Sequence, residues 1–124
     1  MGNLTLKRIG VVMLGVRDLD RSVTFYRDLL CLPLKTQFPG FAFFDAGNVS
    51  LVLSEPLAKA KTPVAGATEI VFAVPDVHEA YEALRANGVE FRTGPRNANG
   101  TDWAASFDDP DGHTLSIFGP KSNG

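Results

Sequence analysis

The chain reads VVMLGVRDLDRSVTFYRDLL over residues 11–30 and EIVFAVPDVHEAYEALRANG over residues 69–88, one pattern stated twice. Val16 falls on Val74, Asp18 on Asp76, Leu19 on Val77, Val23 on Tyr81, Tyr26 on Leu84 and Arg27 on Arg85. An internal repeat constrains a fold more strongly than local propensity, and it lets each half be read against the other. Where the halves differ at a chemically useful position, the difference is itself informative. Val11 is matched by Glu69.

Each copy opens with a short apolar run, Ile9 to Val16 and Ile70 to Val74, of strand length and β-branched character. Each run ends at an Asp suited to cap a helix; Asp76 with Glu79 makes a capping-box variant, and Asp18 serves the first copy. Apolar residues then recur at helical spacing: Leu19, Val23, Tyr26, Leu29 and Leu30 in one half, Val77, Ala80, Tyr81 and Leu84 in the other. Gly88 stops the second helix as a left-handed cap would, and the first copy has Cys31 there. A non-glycine residue in that conformation costs about 1–2 kcal/mol, so the two helix ends are expected to differ.

Three short strands follow each helix. In the first half they are expected near Leu34 to Gln37, Phe41 to Phe44 and Val49 to Leu53; in the second, near Val89 to Arg92, Asp102 to Phe107 and Thr114 to Phe118. Asp45-Ala46-Gly47-Asn48 and Asp109-Pro110-Asp111-Gly112 supply the turns before the closing strands. The expectation is one α+β domain over residues 1–124, with repeat one at about 8–54, a linker at 55–68 containing Pro56, Pro63 and Gly66, and repeat two at about 69–119. The polar segment Gly94 to Gly100 reads as a flexible loop, a candidate lid.

Composition excludes several classes. A net charge of −2 with scattered Lys and Arg offers neither a stripe for nucleic acid nor a polybasic surface for membranes. No run reaches the ~20 apolar residues that span a bilayer. MGNLTLKRIG lacks a signal-peptide hydrophobic stretch, and the single cysteine rules out an intrachain disulfide, so a cytoplasmic protein is expected.

Two strand–helix–strand–strand–strand units, V-x-D-L/V opening each helix, FYRDLL closing the first and FDDPDGHTLSI near the end together resemble the vicinal oxygen chelate superfamily, also called the glyoxalase/bleomycin-resistance/dioxygenase family. The resemblance covers about Arg8 to Gly119 and implies that the two βαβββ repeats form an open eight-stranded mixed β-barrel. Metal-dependent members hold a divalent ion with up to four His, Gln or Glu side chains from the first and last strands of each unit. Carried over by position, those sites are Val11, Leu51, Glu69 and Ser116. Val and Leu cannot ligate, and one carboxylate does not replace three or four ligands, so the expectation is no metal and no cofactor, with a divalent ion as the alternative. His78, early in the second helix, reads as a solvated surface residue. His113, one residue out of phase with Thr114 and Ser116, falls on the opposite strand face.

Without a metal, a lined cavity is what the resemblance leaves. Period-two parity groups Val11, Met13 and Gly15, and groups Glu69, Val71 and Ala73. In the closing strands it suggests Val49, Leu51 and Leu53, and Thr114, Ser116 and Phe118. Met13, Phe41, Phe43, Leu51, Glu69, Trp103, Phe107 and Ser116 are the candidate ligand-binding residues of an apolar, aromatic pocket, or else part of a filled core. Glu69 has three readings: a structural carboxylate bonded to Ser116, Trp103 or backbone amides or reaching solvent, a counter-charge for an amine-bearing ligand, or a catalytic acid or base. Cys31, flanked by Leu30 and Leu32, reads as a small buried or half-buried residue. Arg96, Asn97 and Asn99 either reach over a ligand or are solvated turn residues.

The function expected is that of a metal-independent binder of a small organic molecule, of the kind that confers antibiotic resistance by sequestering a drug, acting as a homodimer. The alternative is a glyoxalase-type enzyme (lyase, isomerase or dioxygenase) using Glu69. A filled scaffold serving protein contacts is the third reading.

Overall fold

The computed structural model describes residues 9–60 and 68–121. Pro63 and Gly66 of the expected linker lie outside the described residues. Strands β1 (Val11–Gly15), β2 (Leu34–Phe38), β3 (Phe41–Asp45) and β4 (Ser50–Ser54) form one four-stranded sheet in the order β1-β4-β3-β2. Strands β5 (Glu69–Ala73), β6 (Phe91–Asn97), β7 (Asp102–Asp108) and β8 (Thr114–Pro120) form the second, in the order β5-β8-β7-β6. In each sheet the first strand pairs parallel to the last, and the remaining pairs are antiparallel. The topology is therefore the βαβββ unit twice, left as two separate sheets, as an open barrel requires.

Helix α1 (Leu19–Val23) is capped by Asp18, which accepts from the Arg21 amide; helix α3 (Val77–Ala86) is capped by Asp76, which accepts from the Glu79 amide. From Thr24 to Leu29 the first helix widens into a π-helical turn, with the Leu30 amide donating to the Phe25 carbonyl. The repeat explains this. Cys31 and Gly88 both have positive φ, 63° and 105°. Measured from the capping Asp to that residue, the first copy is one residue longer than the second. A π turn absorbs one inserted residue without breaking the helix. The closing bonds agree: the Val89 amide reaches the Leu84 carbonyl, and the Leu32 amide reaches that of Tyr26 from one residue further on.

Two expectations change. Residues 55–60 of the linker are a short helix, α2 (Glu55–Ala60), anchored when the Ser54 hydroxyl accepts from the Leu57 amide. The Glu55 carboxylate in turn accepts from the Leu19 amide at the start of α1. The proposed lid also shrinks, because β6 extends to Asn97 and leaves only Ala98 to Thr101 as turn. Arg96 donates to Thr93, Asn97 pairs with Gly100, and Asn99 bonds to Asp102, so all three are committed within that hairpin.

One hydrophobic cluster runs through both halves, from Leu14, Tyr26, Phe44 and Leu53 to Val77, Val89, Phe107 and Ile117. Polar bonds tie the halves together around the Asp109–Gly112 turn. Asp111 accepts from the backbone and side chain of Arg17 and from the Ser22 hydroxyl, with Arg21 alongside. The buried Tyr26 hydroxyl donates to Asp109 at 2.8 Å, and the His113 ring lies 2.8 Å from the Gly15 carbonyl. Close packing extends to Gly119, where an added Cβ would collide with the Val74 carbonyl.

Candidate functional site

The registers assign each strand residue to a face. Val12 pairs with Leu51 and Leu14 with Leu53, and all four pack in or against the core; Phe44 and Ala42 join them from β3. The other face of that sheet carries a row formed by Met13, Val52 and Phe43, with Val11 and Phe41 in adjacent rows. In the second sheet, Ile70, Leu115, Phe107, Ile117 and Trp103 belong to the core side. Its open side carries the row Val71, Ser116, Ser106, next to Glu69 paired with Thr114.

Three expected pocket residues are thus misplaced. Leu51 faces the core, and Val52 takes its place on the opposite face, where it is nevertheless buried. Trp103 and Phe107 also belong to the helix side: the Trp103 ring meets His78 edge-on at 4.9 Å and lies 5.7 Å from the Lys121 ammonium, and Phe107 is fully buried against Phe91 and Phe25. His78 is accordingly half-buried rather than solvated, and its Nδ1 is buried without a hydrogen-bond partner. Cys31 is exposed, not buried.

Met13, Phe41, Phe43, Glu69 and Ser116 do lie on the open faces. Val11 is 52 % exposed, Met13 44 % and Val71 53 %, so these faces offer apolar side chains to solvent. Beside Val71 sits a small polar cluster. The Ser116 hydroxyl donates to the Glu69 carboxylate, and Ser106 Oγ lies 3.0 Å from Ser116 Oγ. Glu69 itself is exposed, so its carboxylate is available to a ligand at the edge of an apolar surface. The repeat does not single out Ser106, since its counterpart on β3 is Phe43; the signal that marks it is its polar side chain between Ala105 and Phe107.

A family model for the glyoxalase/bleomycin resistance protein/dioxygenase superfamily matches residues 8–117. The chain belongs to that superfamily. It is 29% identical over 122 residues to the uncharacterized protein YraH of Bacillus subtilis (strain 168), covering 86% of this chain and 94% of YraH. It is also similar to the crystal structure of a glyoxalase/bleomycin resistance protein/dioxygenase from Nocardioides, with 27% identity, a TM-score of 0.80, and coverage of 98% of this chain and 89% of that one. TnmS3, an antibiotic binding protein from Streptomyces sp. CB03234, shares the fold at 22% identity and a TM-score of 0.79, with 96% of this chain and 100% of TnmS3 covered.

The metal of the superfamily's metal-dependent members does not fit these residues. The register places Val52, not Leu51, opposite Ser116 in the repeat, so the four positions are Val11, Val52, Glu69 and Ser116. Two are hydrocarbon, one is a hydroxyl already donating to the carboxylate, and one is that carboxylate. Divalent ions take several oxygen or nitrogen ligands, and this set offers one good one. Among the described residues, no group of three His, Cys, Asp or Glu side chains converges.

Proposed function

We propose that this chain binds a small, largely apolar organic molecule on the open faces of its sheets, without a metal ion. The observation that carries the reading is the pairing of exposed apolar side chains (Val11, Met13, Val71) with the Glu69 carboxylate, buttressed by two hydroxyls. Apolar lining with few placed polar groups is how small-molecule sites are built. Glu69 adds selectivity for a cationic or amine-bearing ligand, because a carboxylate beside apolar surface gains most from an opposite charge. That TnmS3 binds an antibiotic on the same fold supports a sequestering role, and drug resistance is the biological setting we assign. The exposed open faces also favour a homodimer in which a second copy supplies the opposite wall, since one sheet alone cannot bury a ligand; the single cysteine suits a cytoplasmic setting.

The test uses proflavine, a flat aromatic cation, titrated by fluorescence into chelator-treated and untreated protein. Equal affinity in both, weakened by about 1.5–3 kcal/mol in Glu69→Gln, is the expected result. Binding that requires added metal, or that ignores Glu69→Gln, overturns the reading.

A further inference from the structure

The two helices that the repeat equates do not pack alike. In the first, Leu19, Ser22, Val23 and Tyr26 are all buried; at the matching positions of α3 only Val77 is, and Ala80, Tyr81 and Leu84 remain half-buried. The residues show where the volume went. Ala83 and Leu84 stand where the first copy has Phe25 and Tyr26. Tyr26 lies against Phe44, with ring centroids 6.0 Å apart. The registers make Phe107 the counterpart of Phe44, since each directly precedes an Asp paired with the first residue of its sheet's closing strand. Phe107 is covered by Phe25 and Phe91 instead, and beside the smaller Leu84 there is space.

That space is a cavity of about 390 Å³ between α3 and the helix side of the second sheet, lined among others by Ala80, Ala83, Leu84, Phe107 and Ile117. It is a cleft open to solvent on one side, with Cys31, Ala83 and Asn87 exposed along its rim. Its volume lies within the ~300–1,000 Å³ usual for small-ligand sites. None of the lining residues carries a formal charge, and Asn87 and Cys31 are the polar side chains among them. Cys31 both lines the cavity and is exposed, which puts it at the mouth. It holds a left-handed conformation that its counterpart Gly88 adopts without strain. Asn87 braces this end by donating to the Leu29 carbonyl and to the Cys31 sulfur.

We infer that this cavity is a second binding site, on the opposite side of the sheet from Glu69, for an uncharged and mainly aromatic small molecule. The ligand supplements the smaller Leu84, which stands where Tyr26 lies against Phe44 in the first half. Charge excludes other occupants: a cation or anion entering here would lose its hydration with no opposite charge to meet it. The site does not depend on the open-face reading, since it shares neither Glu69 nor Ser116.

The experiment titrates the full chain with the uncharged probe N-phenyl-1-naphthylamine and follows alkylation of Cys31 by iodoacetamide. Saturable binding of one probe per chain is expected, with alkylation slowed roughly tenfold at saturation because the occupied mouth shields the thiol. Ala83→Phe, which restores the first repeat's side chain, is expected to weaken probe binding at least about tenfold by filling the space. Should that variant not fold, protection of Cys31 in the unaltered chain decides alone. Absence of saturable binding, an alkylation rate indifferent to probe, or a folded Ala83→Phe that binds equally well overturns the inference. So does protection without probe that grows with protein concentration, which would assign the groove to a second copy of the chain.

Discussion

Cys31 and Gly88 occupy the same position at the ends of the two repeat helices, both left-handed, although only one of them is glycine. The extra residue in the first copy is taken up by the π turn ahead of Cys31, so both copies leave their helices through a left-handed residue. An added Cβ at Gly88 meets nothing within 4 Å. Gly88→Ala should therefore cost about 1–2 kcal/mol from backbone strain alone, and Cys31→Gly should be neutral to stabilising. Urea denaturation of both variants checks this; a Gly88→Ala as stable as the parent would show that the conformation carries no strain.

The Tyr26 hydroxyl bonded to Asp109 joins the halves in the buried interior. Burial first, and then the neighbouring Asp109 carboxylate, push the phenol far above its ordinary range. A raised folded-state value means stability is fully present below the unfolded value of about 10 and is lost as the pH climbs beyond it. Tyr26→Phe should cost about 1.5–3 kcal/mol at neutral pH, the range for a bond to a charged group. It should also remove the tyrosine's part of the alkaline loss. Unfolding midpoints of parent and variant between neutral and strongly alkaline pH provide the comparison.

Acid should act through Asp111. Burial works to raise its carboxyl, but hydrogen bonds from the Arg17 side chain and amide and from Ser22, with Arg21 nearby, hold it below the usual carboxylate range. A depressed folded-state value gives stability that is present above the unfolded value of about 3.9 and disappears as the pH falls through the lower one. Stability followed by urea from pH 6 downward should decline below about 4, and the decline should be shallower in Asp111→Asn. An unchanged slope in the variant would remove Asp111 as its source.

Much of this was legible in the residues, and the failures have a physical cause. The repeat was enough for the two βαβββ units, and the capping Asp18 and Asp76 stand where expected. Parity worked on β8, because Ser116 between Leu115 and Ile117 gives an alternating pattern with a definite phase. It failed on β4, where Leu51, Val52 and Leu53 are consecutive apolar residues and alternation has no phase to read. Only pairing with Met13 identifies Val52 as the open-face residue. Aromatic character alone suggests a wall position for Trp103 and Phe107, but Ser106, between Ala105 and Phe107, is the polar marker of the open side on β7. The π turn was visible only as an oddity, a cysteine in a glycine position.

The claim that ligands are held here without a metal rests on Val11, Val52, Glu69 and Ser116, and elemental analysis tests it most directly. Protein produced in medium containing zinc, iron and manganese, purified without chelator and dialysed, should retain far less than one equivalent of any divalent ion per chain. A stoichiometric ion that survives dialysis, and that Glu69→Gln releases, would contradict the account.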